Sequence, residues 1–124
     1  MKITGFCPMI VSKESDEVIK LFEDLGFERK HAKKGINDKN VTDVRMKDTN
    51  GFHVDVVHAD TMPKDMLIIK MNVDDFNEAY EFLTARGFRN TQGDKITETS
   101  SSRATLMVSP SGFGISVTEH IKEK

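Results

Sequence analysis

A single cysteine, Cys7, excludes an internal disulfide, and no Cys-x-x-Cys spacing offers a structural zinc or a redox pair. This usage points to a reducing compartment. No long apolar run is present either. The N-terminal stretch from Ile3 to Val11 is broken by Thr4, Gly5 and Pro8 and then meets Lys13 and Glu14, too short for a signal peptide or a membrane span. A cytoplasmic protein without a membrane partner is expected. Charge of one sign is also lacking: 18 Lys plus Arg stand against 20 Asp plus Glu, a formal charge of -2. No basic stripe is available to neutralise a phosphate backbone, so nucleic acid is not an expected partner. The one sizeable basic cluster, Arg29, Lys30, His31, Lys33 and Lys34, reads as a solvated strand end or loop. There is no Gly-x-Ser-x-Gly elbow, Gly-rich phosphate loop or dinucleotide fingerprint, so the usual signals of nucleophilic hydrolysis and nucleotide chemistry are missing.

What the 124 residues do contain is a repeat. Leu21-Phe22-Glu23-Asp24-Leu25-Gly26-Phe27 closes one amphipathic stretch, and Phe82-Leu83-Thr84-Ala85-Arg86-Gly87-Phe88 closes another. Asp48-Thr49-Asn50-Gly51-Phe52 and Ser109-Pro110-Ser111-Gly112-Phe113 each open an alternating run. Gly26 to Gly87 and Gly51 to Gly112 are both 61 positions apart. One displacement for two landmarks implies a single domain over 1–124 built of two modules, about 1–60 and about 65–120, divided at the polar, proline-bearing stretch 59–64.

Each landmark has a physical meaning. Ser15 or Asp16, and Asp74 or Asp75, can cap a helix start, while Gly26 and Gly87 stand where a left-handed residue ends one. Apolar residues three and four apart predict buried stripes of Val18, Ile19, Phe22 and Leu25, and of Phe76, Ala79, Tyr80, Phe82 and Leu83. Strands are expected over Lys2 to Ser12 and Met66 to Val73, with a weaker one near Phe27 to Lys33 or Phe88 to Gln92, and a hairpin closes each half. The fold class is α+β: two βαβββ modules forming a curved mixed sheet, with a helix packed on the outer face of each half.

Alternation assigns the faces. Phe52, Val54 and Val56 oppose His53, Asp55 and Val57, and Phe113, Ile115 and Val117 oppose Gly114, Ser116 and Thr118. The apolar rows should meet the helices, leaving the small and polar rows to a ligand. Likewise Leu67, Ile69, Met71 and Val73 oppose Met66, Ile68, Lys70 and Asn72, which makes Lys70 a ligand-face candidate. On the first strand, taking Val11 as the counterpart of Val73 puts Thr4, Phe6, Pro8 and Ile10 on that face. A one-residue insertion before the helix would put Cys7 in the place of Phe6. Ser100-Ser101-Ser102 reads as a loop able to cover a cavity, and Met9, Met46, Met71 and Met107 as core filler.

The doubled βαβββ pattern, with Leu-Gly-Phe or Arg-Gly-Phe ending each helix and Asn-Gly or Pro-x-Gly opening each last strand, resembles the vicinal oxygen chelate family of glyoxalase I, bleomycin-resistance proteins and extradiol dioxygenases. The resemblance covers nearly the whole chain, and is carried further by Val73-Asp74-Asp75-Phe76-Asn77-Glu78-Ala79 and Ser109-Pro110-Ser111-Gly112. In metal-dependent members it implies a His on the first strand and a Glu on the last strand of each half. Those positions fall here on Phe6 or Cys7, Asp55, Ile68 and Ser116, among which only Asp55 is a hard ligand. The four-ligand pattern is absent. His53 and Asp55 share a face and could hold part of a divalent ion, or His53 could hydrogen-bond Asp55 or water.

The expected function is therefore binding of a small molecule, drug or metabolite, with neither metal nor other cofactor, by Phe6, His53, Asp55, Ile68, Lys70 and Ser116. The resemblance to bleomycin-resistance proteins implies a homodimer with paired clefts. The alternative is a divalent-metal-dependent lyase, isomerase or dioxygenase-like enzyme whose site is rebuilt around His53, Asp55 and Cys7. Whether any reaction is catalysed stays open at this stage.

Overall fold

The computed structural model describes residues 1–34 and 42–121; the side chains of His31 to Lys34, and with them part of the basic cluster, lie outside the described residues. The element order is β1 (Ile3–Ser12), α1 (Ser15–Asp24), β2 (Glu28–Lys34), β3 (Thr42–Lys47), β4 (His53–His58), β5 (Met66–Val73), α2 (Phe76–Thr84), β6 (Arg89–Asn90), β7 (Thr97–Glu98), β8 (Ser102–Val108) and β9 (Gly114–His120). Among the described residues this is a mixed sheet of nine strands with two helices packed on it, an α+β arrangement in which a βαβββ order occurs twice. The two-residue β7, which pairs with β8, is the one added element.

Two compact units divide the chain. The first comprises Cys7–Leu67, with strands in the order β2-β3-β4-β1. Here β1 runs parallel to β4, with Met9 opposite Asp55, and β2, β3 and β4 are antiparallel. Its core joins Ile19 of α1 to Val44, Met46, Val54 and Val56, with Ile10, Val18, Phe22 and Phe27 packed around them. The second unit takes Met1–Phe6 and continues from Ile68, in the order β1-β5-β9-β8-β6. Its core joins Phe76, Ala79 and Leu83 of α2 to Met71, Val73, Met107 and Val117. Met9, Met46, Met71 and Met107 are all buried.

The 61-residue repeat corresponds to the same local devices built twice. Leu25 and Ala85 end the helices in αR geometry. Gly26 and Gly87 follow with φ of 104° and 90°. Phe27 N–H then returns to Phe22 O, and Phe88 N–H to Leu83 O. This is the Schellman arrangement, in which the residue after the glycine also packs on the last helical turn. The Phe22 and Phe27 rings accordingly meet edge-on at 5.4 Å. In the hairpins, the Asp48 carboxylate accepts from Asn50 and Phe52 N–H, and the Ser109 hydroxyl accepts from Gly112 and Phe113 N–H.

The helix starts differ from expectation. Asp75 caps α2 by accepting from Glu78 N–H at 3.1 Å. Asp74 instead accepts from Lys2 N–H. At α1 neither Ser15 nor Asp16 is the cap: Glu14 holds that position with no side-chain bond to the helix. Two of the expected stripe residues also lie outside. Leu25 is 63% exposed at the helix end, and Phe82 is 45% exposed with the Arg86 guanidinium 3.5 Å above its ring. Phe82 falls off the stripe because residues 76, 79, 80 and 83 already complete the i, i+3, i+4, i+7 face. Ser102 begins β8 and is buried, so only Ser100 and Ser101 of the serine run lie in the loop. Among the described residues no helix is long and apolar enough to cross a membrane.

The two terminating glycines should respond differently to substitution. A Cβ at Gly26 would meet nothing within 4 Å, whereas one at Gly87 would lie 2.8 Å from the Pro110 ring. Left-handed backbone costs an L-residue roughly 1–2 kcal/mol. Gly26→Ala should lose about that much in a urea titration, and Gly87→Ala clearly more; equal losses would show that Pro110 moves aside freely.

Candidate functional site

In the Cys7–Leu67 unit, packing of Val54 and Val56 on α1 turns the alternate residues of β4 to the opposite face. The register pairs Arg45 with Asp55 and Lys47 with His53, and sets Met9 beside Asp55. Asp55 is fully buried. Its carboxylate accepts from the Cys7 thiol at 3.6 Å and faces Arg45 Nε at 3.6 Å. The guanidinium is thus an ion-pair partner at the edge of hydrogen-bond range, and it stays about a third exposed. His53 is the diagonal neighbour of Arg45 across the strand pair. No described residue hydrogen-bonds the buried His53 Nδ1 or Arg45 Nε.

In the second unit, Met71 and Val73 pack with α2, so Ile68, Lys70 and Asn72 take the other face of β5. Lys70 lies opposite Ser116, and Asn72 opposite Thr118. Gly114 allows close approach there: a Cβ would stand 2.9 Å from Ile68 and 3.0 Å from Leu106. The result is an apolar patch of Ile68 and Leu106 next to a polar row of Lys70, Ser116, Asn72 and Thr118. Asn72 is 7% exposed and its buried Oδ1 has no hydrogen-bond partner among the described residues.

The expected site residues therefore divide. His53 and Asp55 share one face within the first unit, and Ile68, Lys70 and Ser116 share one face within the second. Phe6 does not join the latter group. Gly5 lies against Asn72 on their face, so Phe6 points to the other side, where it is 63% exposed. Ile10 likewise packs with the helix side, and Cys7, the alternative to Phe6, is the residue that meets Asp55. The first strand is offset by one from the reading that aligned Val11 with Val73, because Ser12 and the turn at Lys13–Glu14 lengthen the path into α1. Arg45 and Asn72 were not expected as site residues. For Arg45, a cation on an otherwise alternating strand two positions from each of Asp43 and Lys47 offered no cue to its register.

The metal positions implied by the resemblance do not fit an ion. Cys7 and Asp55 are already joined, and a guanidinium occupies the place beside the carboxylate that a cation would need. Ile68 has no donor atom. Among the described residues no group of three or more His, Cys, Asp or Glu is placed to hold a metal.

The Arg45–Asp55 pair should be coupled, because removing Arg45 leaves the buried Asp55 carboxylate without its cation. Arg45→Met is expected to destabilise by about 1–3 kcal/mol, and Asp55→Asn in that background to recover part of the loss. Additive losses in denaturant titrations of the two single variants and the double variant would show that the pair contributes nothing.

No protein-family model and no curated protein matches the chain. Solved structures do. Methylmalonyl-CoA epimerase from Mycobacterium tuberculosis aligns with a TM-score of 0.71 at 15% identity, covering 94% of this chain and 88% of that one. A glyoxalase/bleomycin resistance protein/dioxygenase superfamily member from Vibrio splendidus aligns at 0.63 and 15% identity, covering 95% and 99%. A hypothetical protein from Bacillus halodurans aligns at 0.68 and 10% identity, covering 94% of each. At these identities the likeness speaks for the fold: the chain has the vicinal oxygen chelate fold.

Proposed function

We propose that this protein binds a small organic molecule on the strand faces turned away from its helices, without a metal ion. One observation carries the reading: on such a face of the second unit, Asn72 Oδ1 is buried without a hydrogen-bond partner among the described residues. A buried polar atom left unpaired costs about 1–3 kcal/mol, so a ligand that satisfies such atoms gains what the free protein lacks. Within the second unit that face carries the Lys70 ammonium, an amide oxygen on Asn72 and the hydroxyls of Ser116 and Thr118, beside apolar Ile68 and Leu106. They suit an anionic, hydroxyl- or amine-bearing drug or metabolite with an apolar part. The metal-dependent alternative is disfavoured by the Arg45 guanidinium that faces Asp55.

We also propose a homodimer, a cytoplasmic location and no nucleic-acid or membrane partner. Exposed Leu21 and Leu25, four residues apart on α1, and exposed Ile3 and Phe113 in the second unit offer apolar surface for a second copy. Light scattering should then report twice the 14.0 kDa of one chain.

A thermal-shift screen of antibiotics and of carboxylate- or phosphate-bearing metabolites, run with and without a chelator, tests the binding reading. At least one compound should stabilise the protein equally in both, and Lys70→Met should weaken its binding about tenfold or more, as expected for a lost hydrogen bond to a charged group. Stabilisation that requires a divalent cation would overturn the metal-free reading.

A further inference from the structure

On the helix side of the Cys7–Leu67 unit, away from the face that carries Asp55, three side chains form a hydrogen-bonded chain. Ser15 Oγ lies 2.9 Å from His58 Nδ1, and His58 Nε2 lies 2.5 Å from Asp60 Oδ1. Ser15 and His58 line a cleft of about 400 Å³ at the start of α1. We propose that this cleft is a second, nucleophilic site, in which Ser15 cleaves short-chain acyl esters.

The chemistry follows from the order of the three groups. An ionised carboxylate only accepts hydrogen bonds, so Asp60 sets the imidazole proton on Nε2 and leaves the Nδ1 lone pair to accept from the Ser15 hydroxyl. A serine that donates to a neutral imidazole, itself oriented by a carboxylate, is the arrangement that makes a hydroxyl nucleophilic; it is recognised by geometry and not by a motif. The fold brings the three together from separate places: Ser15 is the first residue of α1, His58 ends β4, and Asp60 follows it. Thr42 and Ser12, its partners on the strands to either side, fix the place of His58 at the end of β4.

The surroundings supply the other requirements. The first helical bonds run from Glu17 and Val18 N–H to Glu14 O. The N–H groups of Ser15 and Asp16 precede them, have no acceptor within the helix, and lie where they can stabilise an oxyanion formed beside Ser15 Oγ. Ile19, Val44 and Val56 give the cleft an apolar floor for a short acyl chain, and its volume falls in the range of small-ligand sites. Lys13 and Arg29 are balanced at the rim by Glu14 and Asp16, which suits an uncharged ester. In the first step Ser15 Oγ bonds to the ester carbonyl carbon and its proton passes to Nδ1. The adduct collapses by breaking the carbon–oxygen bond to the alcohol, which takes that proton. Water, giving its proton to Nδ1, then attacks the acyl-serine and releases the acid, restoring the hydroxyl.

The full chain should be treated with a fluorophosphonate and the adduct located by mass spectrometry, alongside hydrolysis of p-nitrophenyl acetate and p-nitrophenyl butyrate. The expected result is one adduct per chain, on Ser15, and a fall of about 100-fold or more in hydrolysis for Ser15→Ala at unchanged melting temperature. Asp60 acts through His58 as a positioning residue. Asp60→Asn, whose amide can donate to Nε2 and so reverse the tautomer, should lose activity, whereas Asp60→Glu should keep it within about tenfold. If Ser15→Ala does not fold, labelling of the unaltered protein decides. An adduct elsewhere, no adduct, or hydrolysis undiminished in a folded Ser15→Ala variant would overturn the proposal.

Discussion

Each unit depends on burying one helical stripe against alternate residues of its strands. Ile19 and Phe22 on α1 need Val44, Val54 and Val56, and Phe76 and Leu83 on α2 need Met71, Met107 and Val117. Burial of such side chains is worth about 1.5–3 kcal/mol each, and a slip of one residue in strand register would turn the whole set outward. The register is thus enforced by the core. Once it is enforced, the residues between the apolar ones have no choice of side, and Asp55, Arg45, Lys70 and Asn72 are delivered to the faces opposite the helices.

That constraint explains why a fully buried carboxylate is tolerated. Asp55 cannot turn toward solvent without dragging Val54 and Val56 from the core, and a bare carboxylate there would be costly. The thiol of Cys7 and the guanidinium of Arg45 offset the cost. The same arrangement makes the position unsuited to a cation, since the site already has one. A carboxylate that the strand register forces inward is in this way held by a thiol hydrogen bond and an internal ion pair.

The repeat, both helices, the terminating glycines and the paired hairpins were legible because each rests on contacts within a few residues. Gly26 and Gly87 act on the turn that precedes them, and Asp48 and Ser109 on the four residues that follow. The faces of β4, β5 and β9 were equally legible, since alternation is a property of a strand by itself. Legibility failed at β1, where Ser12 and the turn into α1 displaced the alignment by one and exchanged Phe6 for Cys7. It failed also at the start of α1, where Ser15 looked like a cap and instead bonds His58, 43 positions away.

The amino-acid sequence by itself determined the elements, their order, the doubling of the unit and which residues of a strand travel together, because periodicity and turn chemistry are local. Only the tertiary structure decided what each polar residue meets: Asp55 with Cys7 and Arg45, Ser15 with His58, Gly5 beneath Asn72. Those meetings depend on which strands lie side by side and in what register. That is settled by the collective packing of two cores, which no short stretch of the chain encodes.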